Sequence, residues 1–246
     1  MRVLRREGRN PDLAVRVHRA DDHLPPVLLV HGMGGDHSTW RTVAGALDGR
    51  TVFAVDLRGH GVSQHARQYR LDDFADDLGF VLDGLGTERV DVVAHSLGAH
   101  ASLRFAMGAP DRVRRMVLEE PPPMPRDAAD VAEEIRPAAD LPERLRGLRA
   151  LAVNPQPYLR FDRVLPDAVN AQFRQADPGW WEALAAVESP TVVVSGGERS
   201  FLPTRHLRSL AEALPRGEFT VVDSGHSVHR DRPREFNAVV AGHLAP

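Results

Sequence analysis

The chain of 246 residues contains no cysteine. That absence excludes disulfides, thiolate metal sites and a cysteine nucleophile together. Lysine is missing too: all 31 basic residues are arginine, and isoleucine occurs once. Arginine and valine fill those roles, so the bias reads as coding preference, not function. Long apolar runs are absent. Stretches such as Val27-Leu28-Leu29-Val30 fall far short of the ~20 residues that a membrane helix needs, and no membrane association is expected. The net charge is only −3 and the arginines are scattered, which gives neither a nucleic-acid face nor a polybasic patch. The opening Met1-Arg2-Val3-Leu4-Arg5-Arg6 lacks the apolar core of a signal peptide, so the expected location is the cytoplasm.

What remains is an ordinary soluble composition, 42% apolar and 26% charged, at a length that fits one large α/β domain or two small ones. Short apolar strands alternate with amphipathic helices. Strands are expected at 13–17 (after an Asn10-Pro11-Asp12 turn), 27–30, 51–55, 90–94, 113–118, 191–194 and 219–222. Helices are expected at 39–47, 71–85, 97–107, 204–214 and 233–244. Continuous apolar strands between helices indicate a parallel sheet covered on both faces.

One segment breaks the rhythm. Between Pro121 and Pro190 lie 11 of the 19 prolines, two of the three tryptophans and no convincing strand. Proline at this density keeps helices short. Trp180, Trp181, Leu184, Leu145 and Leu148 offer apolar faces, so the segment reads as a helical insertion and not as a linker.

Four motifs stand at strand ends. In Val92-Val93-Ala94-His95-Ser96-Leu97-Gly98-Ala99 a buried strand ends, Ser96 follows and a helix starts at once. A sharp turn there exposes the hydroxyl and aims the Leu97 N–H at an incoming oxygen, beside a helix N-terminus. Small residues are needed two positions to either side, and Ala94 and Gly98 supply them. Taken alone, the motif also fits a serine that caps a helix. His31-Gly32-Met33-Gly34-Gly35 follows an earlier strand, with the Met33 N–H as the natural second oxygen-binding donor. His31 is expected to bond within its own loop. In Asp56-Leu57-Arg58-Gly59-His60-Gly61-Val62-Ser63, Asp56 and Arg58 are expected to be structural. Asp223-Ser224-Gly225-His226 places a loop histidine at the same sheet edge as Ser96, with His229 as the local competitor. The spacing of histidines and carboxylates supports no zinc site.

These four motifs, in this order and between these strands, resemble the α/β-hydrolase superfamily over almost the whole chain. The resemblance implies a twisted, mostly parallel sheet of about eight strands, with a core at 1–120 and 191–246 and a helical cap at 121–190. It implies Ser96 as nucleophile, His226 as base and the Met33 and Leu97 N–H groups as oxyanion hole. No cofactor and no metal are implied. Tyr158, Phe161, Trp180 and Trp181 are the large side chains available to line a substrate pocket or to pack the cap. The expected activity is serine hydrolysis of a carboxylic ester, thioester or lactone, on a small molecule with an activated acyl group. The same fold also runs acyl transfer, elimination, carbon–carbon hydrolysis and perhydrolysis, and it can serve as a non-catalytic receptor.

The acid of the triad is the harder assignment. In most of the superfamily it is an Asp after the seventh strand, and the corresponding position here is Ser200. Glu198 is nearby at the wrong spacing. Some branches carry the acid after the sixth strand, where Met116-Val117-Leu118-Glu119-Glu120 ends. A right-handed strand–helix–strand unit brings that end beside Ser96. Glu120 is expected to be the acid, with Glu119 pointing the other way.

Overall fold

The computed structural model describes residues 1–8, 11–20, 24–47, 49–133, 135, 148, 152 and 154–245. Leu145 and Asn10 lie outside the described residues. Eight strands form one sheet: β1 (Arg2–Leu4), β2 (Leu13–His18), β3 (Val27–Val30), β4 (Val52–Val55), β5 (Val90–His95), β6 (Val113–Glu119), β7 (Thr191–Ser195) and β8 (Gly217–Val221). Their order is β1-β2-β4-β3-β5-β6-β7-β8. β2 pairs antiparallel with β1 and β4, and every other pairing is parallel.

The helices are α1 (Arg41–Ala46), α2 (Leu71–Leu85), α3 (Leu97–Gly108), α4 (Ala128–Ala132), α5 (Gln156–Leu159), α6 (Leu165–Phe173), α7 (Pro178–Ala183), α8 (Thr204–Ala213), α9 (Val228–Asp231) and α10 (Pro233–His243). In α2, Leu71, Phe74, Leu78, Val81, Leu82 and Leu85 recur at three- and four-residue steps and are buried as one stripe. Asp72 and Asp73 sit in its first turn, where the helix dipole favours anions. Gly86 ends it in the left-handed conformation.

β3, β4 and β5 are buried throughout, as strands covered on both faces must be. One face packs α2 and α3 over residues such as Leu28, Phe53, Val92 and Leu118. The other packs Trp40, Val43, Phe236 and Val240 over Val27, Leu29, Val93 and Val117.

Some details differ from the sequence expectation, among them the short helix α9 (Val228–Asp231), which was not expected. β1 was not anticipated: three residues, two of them exposed, carry no periodic signal. The stretch at 39–47 begins instead as a 3-10 turn, His37–Trp40, because the Asp36 side chain accepts the Ser38 N–H at 2.8 Å and caps it one turn early.

The segment between β6 and β7 holds α4 to α7 and a final 3-10 turn, Leu184–Ala186. Proline opens α5, α6 and α7, where its missing N–H costs nothing. Leu165, Val169, Trp180 and Leu184 are buried and join the core that α2 and α3 line. The segment docks through polar bonds as well. Tyr69 donates its hydroxyl proton to Asp162 at 2.6 Å, and the Gln172 amide reaches the Tyr69 carbonyl at 2.8 Å.

Candidate active site

β3, β5, β6 and β7 run parallel, so their carboxyl ends share one edge. Ser96 stands between β5 and α3 with φ 50° and ψ −118°. A Cβ on Gly98 would lie 2.4 Å from the His31 carbonyl oxygen, so only glycine lets α3 approach β3 this closely. A Cβ on Gly32 would meet His95 Nδ1 at 2.5 Å and Ser96 Cβ at 3.1 Å. The glycine loop therefore lies directly against the serine.

The Ser96 hydroxyl and His226 Nε2 are 3.0 Å apart. On the other side of the ring, Nδ1–H donates to Glu120 Oε2 at 3.0 Å. Glu120 is fully buried, yet its carboxylate is well supplied with donors. Oε1 accepts the Gly196 N–H at 2.6 Å, and Oε2 also accepts the Ser200 hydroxyl. Ser96 and Glu120 are the two non-glycine residues with positive φ among the described residues. Such backbone costs ~1–3 kcal/mol at each position and persists where the surroundings over-determine it.

Glu119 takes the neighbouring path. Its carboxylate accepts the His229 N–H at 3.0 Å and the His229 Nδ1–H at 2.6 Å. Burial pushes the Glu119 carboxyl up, but His229 and His95 outweigh it and hold the group down at about 2. His95 Nε2–H donates to the His226 carbonyl at 2.8 Å, and burial pushes the His95 ring down to about 3, so it is neutral. The sequence competitor His229 thus belongs to Glu119, and Glu198 lies exposed on a 3-10 turn and makes no hydrogen bond to the His226 ring.

The glycine loop is braced by neutral histidines. His31 Nδ1–H donates to the Gly32 carbonyl at 2.7 Å, and its Nε2 accepts the Leu57 N–H at 3.1 Å. His60 Nδ1–H donates to the Arg58 carbonyl at 2.9 Å, while its Nε2 accepts the Gly34 N–H at 3.0 Å. Burial pushes His60 down to about 3, which keeps that acceptor bare. Asp56 accepts His37 and Val62, and Arg58 grips the buried Asp77 with two bonds of 2.6 and 2.7 Å. Within the loop, the Met33 N–H makes no hydrogen bond among the described residues, nor does the Leu97 N–H across from it.

The aromatic residues of the insertion lie at different removes. Phe161 packs on the His60 ring at 4.8 Å between centroids. Trp180 is buried and stacks flat on His100, 5.2 Å between centroids and 8° between planes. Trp181 Nε1–H donates to the Met124 carbonyl at 2.7 Å, and Tyr158 is about half exposed under the Arg163 guanidinium. The phenyl ring that packs on His226 is Phe201, from beyond β7, at 4.2 Å between centroids. Sequence reasoning missed it, and it missed the donors Gly196 and Ser200 and the anchor His95. The one available signal was Ser200, which stands where an acid is usual.

Asp130, Glu133 and His206 bring ligand atoms within 4.8 Å of one another, across α4 and α8. Sequence spacing gave no hint of this convergence. The His206 Nε2–H donates to Glu133 at 2.7 Å and Arg205 pairs with the same carboxylate, so the group reads as a tie between the insertion and the core.

A family model described as alpha/beta hydrolase fold matches residues 25–161, more than half of the chain. The chain belongs to the alpha/beta hydrolase family. An acetyltransferase component of the acetoin cleaving system from Cupriavidus necator is 31% identical, covering 94% of this chain and 67% of its own length. An esterase of Mycobacterium tuberculosis is 30% identical over 94% and 86% of the two chains. The mouse sn-1-specific diacylglycerol lipase is 25% identical over 92% and 82%. Among solved structures, an N-acyl homoserine lactone degrading enzyme superposes on this alpha/beta hydrolase with a TM-score of 0.79 at 22% identity, over 98% and 99% of the two chains. At that identity the superposition speaks for the fold. No helix among the described residues is long and apolar enough to cross a membrane.

Proposed function

We propose that this alpha/beta hydrolase is a serine hydrolase that cleaves a carboxylic ester, thioester or lactone through an acyl-enzyme. The observation that carries the reading is the unbroken run from the Ser96 hydroxyl through the His226 ring to the Glu120 carboxylate, 3.0 Å at each step. Ser96 is the nucleophile. A serine hydroxyl attacks poorly near neutral pH, so His226 Nε2 takes its proton as the bond to the acyl carbon forms. Glu120 holds the ring in the tautomer with Nδ1–H and stabilises the imidazolium that results. The free N–H groups of Met33 and Leu97 receive the oxyanion, where loss of one donor typically costs ~10²–10³ in rate. His226 then protonates the leaving group, and water repeats the cycle to release the acid.

Residues 121–190 act as a cap over this edge. Phe201 forms the wall beside His226, with Phe161 next along the His60 side. Trp180 anchors the cap on His100 of α3, Trp181 serves the cap's own packing, and half-exposed Tyr158 stays outside the pocket. Fluorophosphonate labelling combined with hydrolysis of p-nitrophenyl esters tests the assignment. Wild-type protein should label at Ser96 and turn the ester over, and Ser96→Ala should do neither. An acyl-enzyme that passes to an added alcohol or amine faster than to water would move the reading to acyl transfer.

A further inference from the structure

Two adjacent carboxylates at the end of β6 each hold a histidine, and the two histidines are three residues apart. Glu120 holds His226, which the proposed mechanism uses; Glu119 holds His229, which it does not. We propose that Glu119 and His229 form a second carboxylate–histidine pair, one packing layer behind the triad, that positions His226 and lends its buried negative charge to the imidazolium formed there during catalysis. This rests on the serine-hydrolase reading above.

The geometry has three parts. First, Glu119 binds both the backbone N–H and the ring of His229, so it fixes the first turn of α9, two residues after His226. Second, His95 lies between the pairs, with ring centroids 4.9 Å from His226 and 5.0 Å from His229. Its Nε2–H fixes the His226 carbonyl, and its register partner across the sheet is Glu119. Third, the Glu119 side chain is fully buried, and the only hydrogen-bond donors it meets among the described residues belong to His229. That leaves the carboxylate in a low-dielectric site, with both of its oxygens bonded to donors of one residue. There it acts on a nearby cation more strongly than a surface charge would.

The groups facing His226 are Ser96 from the β5–α3 turn, His95 from β5, Glu120 from the end of β6 and Phe201 from beyond β7. His95 is neutral, so Glu119 is the next charge behind it.

The test measures the rate of fluorophosphonate labelling against pH for wild type, Glu119→Gln, His229→Asn and Ser96→Ala. Labelling that survives Ser96→Ala, or that fails in the wild type, overturns the underlying reading and this proposal with it. With that control met, Glu119→Gln should label about tenfold more slowly, with the acid limb moved to lower pH by about half a unit or more. The sign follows because removing a negative charge makes the imidazolium harder to form. His229→Asn keeps the Glu119 charge and an N–H donor, so its acid limb should stay at the wild-type position even though labelling slows. An unmoved limb in Glu119→Gln overturns the proposal, as does an equal displacement in His229→Asn. If Glu119→Gln does not fold, the double variant Glu119→Gln/His229→Asn replaces the pair with hydrogen-bonded amides and must show the same displacement.

Discussion

The carboxyl edge of the sheet and the segment between β6 and β7 are built by different means. At the edge, parallel strands end in register, and short polar side chains leave from backbone that is fixed and in two places strained. Polar groups there are held by several neighbours at once, as Gly196, Ser200 and His226 hold Glu120. The insertion has no strand among its described residues, and the helices described there in full run from four to nine residues. It is attached by a few buried aliphatic and aromatic side chains and by single polar ties to the core. The edge is set by backbone geometry that distant parts of the sheet enforce. The insertion is set by local anchors that can be changed one at a time. Activity should therefore collapse on small changes at the edge, while changes in the insertion should alter stability or selectivity.

The largest effects belong to Ser96→Ala and His226→Ala. Each should lower ester turnover by about 10⁶, and the double variant should be scarcely worse because the pair works as a unit. Unfolding midpoints near wild type would confirm that the loss is chemical. Glu120→Gln should cost about 10⁴ in kcat with little change in KM. Glu198→Gln, exposed and unattached, should cost almost nothing. Equal losses in those two variants would refute the distinction between the β6 and β7 positions.

A change of stability without a change of chemistry is expected at the strongest anchor of the insertion. Trp180→Ala removes a buried ring stacked on His100 and should cost about 3–5 kcal/mol by denaturant melts, with kcat for a short ester nearly intact at low temperature. A pH series separates a buried edge carboxylate from these anchors. Glu119 is held down at about 2, so its stabilising contribution is full above the unfolded carboxyl value near 4.5 and fades as pH falls towards 2. The stability gap between wild type and Glu119→Gln should thus be wide at pH 7 and close near pH 2. The smallest effects fall on Phe161→Ala and Tyr158→Ala. Phe161→Ala should alter the preference among esters of different chain length by a few-fold, and half-exposed Tyr158 should leave it unchanged. A reversed order would place Tyr158, not Phe161, against the substrate.

The order of elements was legible in the sequence because burial on both faces demands continuous apolar strands and burial on one side demands a helical stripe. The runs at Val27, Val90 and Thr191 and the stripe of α2 meet those demands directly. The Ser96 turn was legible as well, since a strand that stops at a serine between Ala94 and Gly98 has few other geometries. Chain direction brought Glu119 and Glu120 together to the edge that carries Ser96, because a right-handed parallel crossover must return the end of β6 there. The choice of Glu120 between the two rested on the resemblance to branches that carry the acid after the sixth strand. Position along the chain is thus a property that the sequence carries by itself. Contacts between residues far apart in the chain are not. That Gly196 and Ser200 bond to Glu120, that Phe201 lies on His226, and that Glu119 takes His229 while leaving His226 to its neighbour all depend on how the loops after β6, β7 and β8 fold over one another. Those loops have no periodicity to read, and differences of an ångström decide which donor reaches which carboxylate. Only the packed tertiary structure fixes distances on that scale.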